Sequence, residues 1–241
     1  IENNVAVIFA NGNDGGEGDE DQSNIFAKVP AAIGVAATNR DGIGMSDFSS
    51  RGDMSDRDTW PDVAAPGVDI WSAAARATMI GAGTGAGDVG SGELDYYYLA
   101  ISGTSMATPH VAGLAALLWQ AAPSLKMSNY DEDLDSPGKP TLYDPSGISP
   151  PQEAEREIHE IEAILKLTSD YITEGENLAE NNSLGLNNHS LDYAQGYGLV
   201  NADNAVALAL TLQRMRDENG DGLVDNENIE VLDAFKIYKE T

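Results

Sequence analysis

The apolar positions of this chain fall into short unbroken runs separated by glycine- and asparagine-rich turns, with longer helical stretches in the second half. Residues 5–10 (Val-Ala-Val-Ile-Phe-Ala) and 31–38 (Ala-Ala-Ile-Gly-Val-Ala-Ala-Thr) show no alternation of apolar and polar positions, the pattern of strands buried on both faces. Residues 96–101 predict another strand. Residues 105–121 are apolar all round and stop before Pro123, which predicts a core helix packed on every side. A second helix is expected over 152–167, with Pro151 at its first turn and an acidic start; further helices are expected over 202–216 and 229–238. Apolar runs of this length, glycine-rich turns and a long buried helix together predict an α/β fold, a parallel sheet flanked by helices. Residues 77–92, rich in Gly, Ala and Thr, and 124–151, polar and punctuated by proline, read as insertions.

Composition narrows the class of function. The 241 residues carry 40 acidic against 13 basic side chains, a net charge of -27. That charge opposes nucleic acid and anionic membrane surfaces and suits calcium, cationic substrates or a salty medium. With no cysteine there is neither a disulfide framework nor a thiolate metal site. No apolar run reaches the roughly 18 residues a membrane span needs. The chain opens on Ile1-Glu2-Asn3-Asn4, not on a basic and apolar leader.

The candidate chemistry centres on residues 102–113, Ser-Gly-Thr-Ser-Met-Ala-Thr-Pro-His-Val-Ala-Gly. Ser105 stands at the start of the predicted core helix among small residues. There the positive end of the helix dipole favours negative charge developing beside a serine hydroxyl. An ordinary N-cap serine fits the same pattern. Upstream, the strand over 5–10 delivers Asn11-Gly12-Asn13, which alone reads as an Asn-Gly turn. Residues 14–21 follow as an acidic loop, either solvated or bordering a pocket selective for Lys or Arg. The run Gly-Thr-Ser-Met-Ala-x-Pro-His-Val-Ala-Gly resembles the nucleophile motif of the subtilisin-like serine peptidases. Phe-Ser-Ser-x-Gly at 48–52, Pro-Asp-Val-Ala-Ala-Pro-Gly at 61–67 and Gly-Tyr-Gly-Leu-Val-Asn at 196–201 resemble framework segments of that family, in the family's order. The resemblance covers residues 5–212.

It implies a subtilisin-like sheet, in part, over 1–212, and hydrolysis of polypeptide substrates through an acyl-enzyme. Ser105 becomes the nucleophile and Asn13 the side-chain donor to the oxyanion, with Ala10, Asn11 and Gly12 lining the substrate, and an extracellular location is expected. The family's histidine and aspartate, which activate the serine, belong before the asparagine loop, and neither segment occurs here. Of the three histidines, His110 is expected to face away from Ser105, His159 to sit in a solvated helix and His189 in an Asn-rich loop. The resemblance therefore implies a partner: the N-terminal portion of the same peptidase, joined or as a separate chain. The same absence fits a non-catalytic binding or scaffold module. A third reading takes Gly103-x-Ser105-x-Ala107 as a degenerate α/β-hydrolase elbow, with His189 as base.

Residues 213–241 read as a separate unit. Asp217, Asn219, Asp221 and Asp225 at loop positions 1, 3, 5 and 9, Gly222 at 6 and the Leu223 carbonyl at 7 match an EF-hand calcium loop between helices. Asn228 stands at position 12, where a bidentate glutamate is usual, so a weak structural calcium site is expected. A solvated Asp-Gly turn is the alternative.

Overall fold

The computed structural model describes residues 4–29, 32–73, 98–128, 158–180, 182–184, 186 and 189–240. Its centre is a parallel sheet in the order β1 (Val7–Ala10), β2 (Ala32–Thr38), β3 (Val63–Pro66). Ile8 lies opposite Ile33 and Val35 opposite Val63. Every residue of β2 is buried, as its unalternating sequence requires, whereas β1, the outer strand, is half-buried along its length. Residues 198–200 continue the sheet beyond β3: Ala64 N–H donates to the Gly198 carbonyl at 2.8 Å and Val200 N–H to the Ala64 carbonyl at 3.0 Å. At Gly198, with φ +105°, a Cβ would stand 2.3 Å from the Asp170 carbonyl oxygen, so only glycine fits.

Helix α1 (Thr104–Ala121) lies on this sheet through Ala107, Val111, Leu114, Ala115 and Leu118, all buried. The expectation that it is packed on every side is corrected. Pro109, Ala112, Gly113, Ala116, Leu117 and Gln120 are exposed, because no described element covers that face. Strands β4 (Ile70–Ala73) and β5 (Tyr98–Ile101) form an antiparallel ribbon that leads into α1. The insertion expected over 77–92 and most of that over 124–151 lie outside the described residues.

The second helix starts later than its sequence predicts. β6 (Met127–Ser128) pairs antiparallel with β7 (Ile158–His159), and α2 runs only from Glu160 to Thr168. Residues 158 and 159 are held in the ladder, and the His159 ring caps α2 by accepting from Ile161 N–H at 3.1 Å. Residues 152–157 lie outside the described residues. A short ribbon of β8 (Ser183–Leu184) and β9 (Ser190–Leu191) precedes the closing segment.

α3 (Ala202–Arg216) begins at an Asn201 cap, and α4 (Val231–Tyr238) packs beside it. Val231, Ala234 and Phe235 of α4 join the same apolar core as Ile161 and Ile164 of α2. Two buried cations cross this core. Lys166 pairs with Asp62 at 2.7 Å and Glu162 at 2.6 Å. Arg216 grips both oxygens of Glu160, at 3.0 and 2.5 Å, and donates to the carbonyls of Ser124 and Ile229. Burial of such charges is tolerated only with partners this close.

Candidate active site

The start of α1 is shaped by glycines. Gly103 caps the helix with φ 156° and ψ 158°, a region open essentially to glycine alone, and its N–H donates to the Gly67 carbonyl at 2.8 Å. A Cβ on Gly67 would lie 2.6 Å from the Ala37 Cβ and 2.9 Å from the Gly103 carbonyl oxygen. The two glycines let the helix start rest on the carboxyl ends of β2 and β3. Ser105, the second residue of α1, is exposed there, and its N–H is one of the helix-start donors that have no acceptor within the helix.

Asn13 reaches this helix start from the end of β1. Its Oδ1 accepts from Thr104 N–H at 2.9 Å and from the Thr104 hydroxyl at 3.0 Å. With the oxygen so held, the amide nitrogen faces the other way, 3.5 Å from where a Gly103 side chain would begin, and it donates to no group among the described residues. An uncommitted amide donor thus stands beside a serine at a helix N-terminus. Such a pair can stabilise an oxyanion formed at a carbonyl carbon bonded to Ser105 Oγ.

Thr104 is the residue that sequence reasoning missed. Its hydroxyl also accepts from Gly12 N–H at 3.2 Å, so one buried threonine ties both sides of the site. The signal was a hydroxyl beside the serine, at the one position where it can reach back to the asparagine loop. Replacing Thr104 with Val should release Asn13 and weaken oxyanion stabilisation beside Ser105 roughly 10-fold to 100-fold in kcat, a fraction of the loss of the donor itself, whereas Thr104→Ser should retain most of it. Steady-state kinetics on the two variants makes the comparison.

The remaining predicted residues are brought to the same place but are committed. Asn11 is fully buried, with its Nδ2 donating to the Ser50 carbonyl at 2.8 Å and to Ser23 Oγ at 3.2 Å. Its N–H donates to Val35 and its carbonyl accepts from Asn24, while the Gly12 carbonyl accepts from Ser50 N–H at 3.0 Å. Asp14 N–H donates to Ser50 Oγ. The Phe-Ser-Ser segment therefore fixes the loop, with Asn11 enclosed and Ala10 and Gly12 half-buried beside it. In the acidic loop, Glu17 lies 3.5 Å from Arg51 and Asp21 pairs with Lys28, while Asp14, Asp19 and Glu20 are exposed.

No histidine is hydrogen-bonded to Ser105 among the described residues. His110 donates from Nδ1 to the Met106 carbonyl of its own helix, 2.9 Å away. His159 is not in a solvated helix as its sequence predicts; it is 1% exposed, caps α2, donates from Nε2 to Asn4 Oδ1 at 3.0 Å and meets the Trp119 ring edge-on. Its aromatic neighbour and the strand pairing draw it inward. Burial pushes its pKa down to about 4 from an ordinary 6.5. The folded state therefore favours the neutral ring. This contribution is complete above pH 6.5 and is lost as pH falls towards 4, on the order of 3 kcal/mol in all. Urea unfolding at pH 7 and pH 4.5 should show that loss, and His159→Asn, which keeps a cap but does not titrate, should remove this part of it. His189 packs against Phe235, and burial lowers its pKa.

The loop at 217–228 is tied by its own backbone. Asp217 accepts from the amides of Gly220, Asp221 and Gly222, Asn219 from Asp221, and Asp221 from Leu223; Asp225 accepts from Asn219. Gly222 takes the expected turn at φ +86°. Asn228 donates its amide to Asn226 Oδ1. No group of three or more His, Cys, Asp or Glu side chains placed to share a metal ion occurs among the described residues.

Comparison with known proteins extends this picture. The family model described as Subtilase family matches residues 1–198. Subtilisin E of Bacillus subtilis (strain 168) is 36% identical over 136 residues, covering 56% of this chain and 29% of that protein. Subtilisin-like protease 2 of Pseudogymnoascus destructans is 41% identical over 119 residues, 49% of this chain and 23% of that protein. The chain thus spans less than a third of the length of these curated relatives. Among solved structures, the prenylagaramide maturation protease PagA aligns with a TM-score of 0.47 at 22% identity, over 85% of this chain and 50% of that one.

Proposed function

The chain belongs to the subtilase family of peptidases, and from that premise we propose that it carries the nucleophile and oxyanion donors of a serine endopeptidase whose base lies elsewhere. The observation that carries the proposal is the Thr104–Asn13 clamp, which sets an amide donor beside Ser105 at the N-terminus of α1. Ser105 Oγ attacks the scissile carbonyl carbon, and the Asn13 amide and the Ser105 N–H receive the oxyanion. Collapse expels the amine and leaves an acyl-serine that water then hydrolyses. The polypeptide substrate packs along Ala10 and Gly12, which the enclosed Asn11 between them holds in place. The proton of Ser105 needs a base; His110 and His159 are bonded elsewhere, His189 is packed against Phe235, and none of the three is hydrogen-bonded to Ser105. We assign that base, and the aspartate that orients it, to the N-terminal portion of the peptidase, joined or separate. Fluorophosphonate labelling of Ser105 in the native peptidase is the test. Failure to label there favours a binding or scaffold module that retains the fold, the reading that the engaged histidines also suit.

The second element of the proposal is calcium at residues 217–228, in a structural role. The side chains of Asp217, Asn219, Asp221 and Asp225, the Leu223 carbonyl and Asn228 form an all-oxygen set, the chemistry of a hard cation. The carboxylates now hold backbone amides, so ligation would exchange these bonds for metal contacts, consistent with weak affinity. Isothermal titration with calcium should find one site in the native chain and none after Asp217→Ala with Asp221→Ala. Unchanged stoichiometry in the double variant leaves only a solvated turn. No helix of the described residues is long and apolar enough to cross a membrane. From its family we assign the chain to an extracellular setting.

A further inference from the structure

Lys166 is a nucleophile that the chemistry proposed at Ser105 does not use. Its side chain is fully buried, and Nζ stands 2.7 Å from Oδ1 of Asp62 and 2.6 Å from Oε1 of Glu162, one turn earlier on α2. The Tyr197 ring, itself buried, lies 5.6 Å from Nζ. Asp62 is fixed from both sides. Its N–H donates to the Gly34 carbonyl at 2.9 Å, its carbonyl accepts from Tyr197 N–H at 2.9 Å, and its Oδ2 accepts from Gly34 N–H at 2.6 Å. An amine, a carboxyl group with a donor on its far oxygen, and a second carboxylate against the amine are thus held together by three segments distant in sequence.

In water an ammonium and a carboxylate stay ionised, and joining them as an amide is uphill because it gives up the hydration of both. Burial reverses that preference, since the hydration has already been lost. Burial is the largest influence on Lys166 and pushes its pKa down; Asp62 pulls it up, and the charge of Arg57 lowers it further. Transfer of one proton along the 2.7 Å contact turns the ion pair into a neutral amine and a neutral carboxylic acid. Condensation then removes two buried charges for good. The Asp62 side chain is 15% exposed, which leaves the released water a way out.

We infer that Lys166 and Asp62 condense into an intramolecular isopeptide bond, with Glu162 as the proton carrier. The amine lone pair attacks Asp62 Cγ to form the N–C bond, and negative charge gathers on Oδ2, where Gly34 N–H receives it. Glu162 takes a proton from the attacking nitrogen and delivers it to the Oδ1 hydroxyl, which departs as water when the C–Oδ1 bond breaks. Both hydrogens of that water began on Nζ, one having crossed in the initial transfer, and Glu162 ends as it began, a carboxylate. The step needs no oxidant and no co-reactant. Its product ties the segment before β3 to α2 and restricts the unfolded chain as a disulfide would, in a chain that has no cysteine. The inference does not rest on the catalytic assignment of Ser105.

Mass spectrometry of the native peptidase, denatured and digested with trypsin, reads the bond directly. The expected result is one branched species that joins residues 58–76 to residues 157–214, uncleaved after Lys166 and lighter by one water than the two peptides together. Lys166→Arg, which keeps a cation but does not condense, should return two separate peptides of full mass, cleaved after position 166. Glu162→Gln leaves amine and carboxyl in place and removes the proton carrier, so in pulse-labelled chains the branched species should appear roughly 100-fold more slowly than in the native sequence. Separate peptides from the native protein overturn the inference and leave an ordinary buried ion pair, whatever the variants do. A missing water traced to any other residue overturns it equally. A branched species that forms at an unchanged rate in Glu162→Gln removes Glu162 from the step.

Discussion

Residues 1–241 alone will react with a fluorophosphonate at Ser105 more slowly than the native peptidase by a factor on the order of 10⁶. That figure is the kcat loss known for subtilisin itself when the histidine of its triad is removed; it is carried over from that relative and not obtained from this chain. The serine stands at a helix N-terminus next to an amide donor, an arrangement that stabilises charge once it has formed. Among the described residues no histidine is bonded to it: His110 donates from Nδ1 to the Met106 carbonyl, and His159 is held as a helix cap. A serine hydroxyl without a base remains protonated at neutral pH and is a poor nucleophile. Mass spectrometry of the peptide containing Ser105 gives the extent of labelling with time. Rapid stoichiometric reaction of the isolated chain would mean that a base has been overlooked within it.

The second large effect belongs to Asn13. In the native peptidase, Asn13→Ala should lower kcat by about 100-fold to 1000-fold with little change in KM, the loss recorded for the corresponding donor in subtilisin. The donor acts on the oxyanion, which exists only after attack, so ground-state binding is nearly unaffected. The geometry adds a detail. Because Thr104 holds Oδ1, Asn13→Asp would set a carboxylate oxygen where the donor now lies, and its activity should fall at least as far as that of the alanine variant. A change confined to KM in either variant would remove Asn13 from the oxyanion site.

Much of this site could be read in the sequence because its parts are local. A strand ending in Asn-Gly-Asn and a helix beginning Gly-Thr-Ser each declare themselves within a dozen residues, and the fold needed only to join them. What could not be read depends on contacts between distant segments. The start of α2 moved to Glu160 because residues 158 and 159 pair with 127 and 128, and no periodicity reports that partner. His159 looked solvated because its sequence neighbours are acidic; Glu160 and Glu162, however, are themselves buried against Arg216 and Lys166. The role of Thr104 required knowing that Asn13 lies across from it. The all-apolar sequence of α1 predicted burial on every side, and Ala112, Ala116 and Leu117 are exposed because no described element covers that face, which periodicity within the helix does not report.

The grip of Arg216 on Glu160 also bears on how the segment after α3 opens. Segments that can open locally over several residues are the ones that proteolysis reaches. Here the amides of Asp225 and Asn226 are bonded to the Arg216 carbonyl, while its guanidinium holds Ile229, Ser124 and Glu160. Peeling the tail away would strip a buried carboxylate of its cation, so the last two helices open only together with the core around α2. The segment after α3 is thereby fastened to the core without a disulfide.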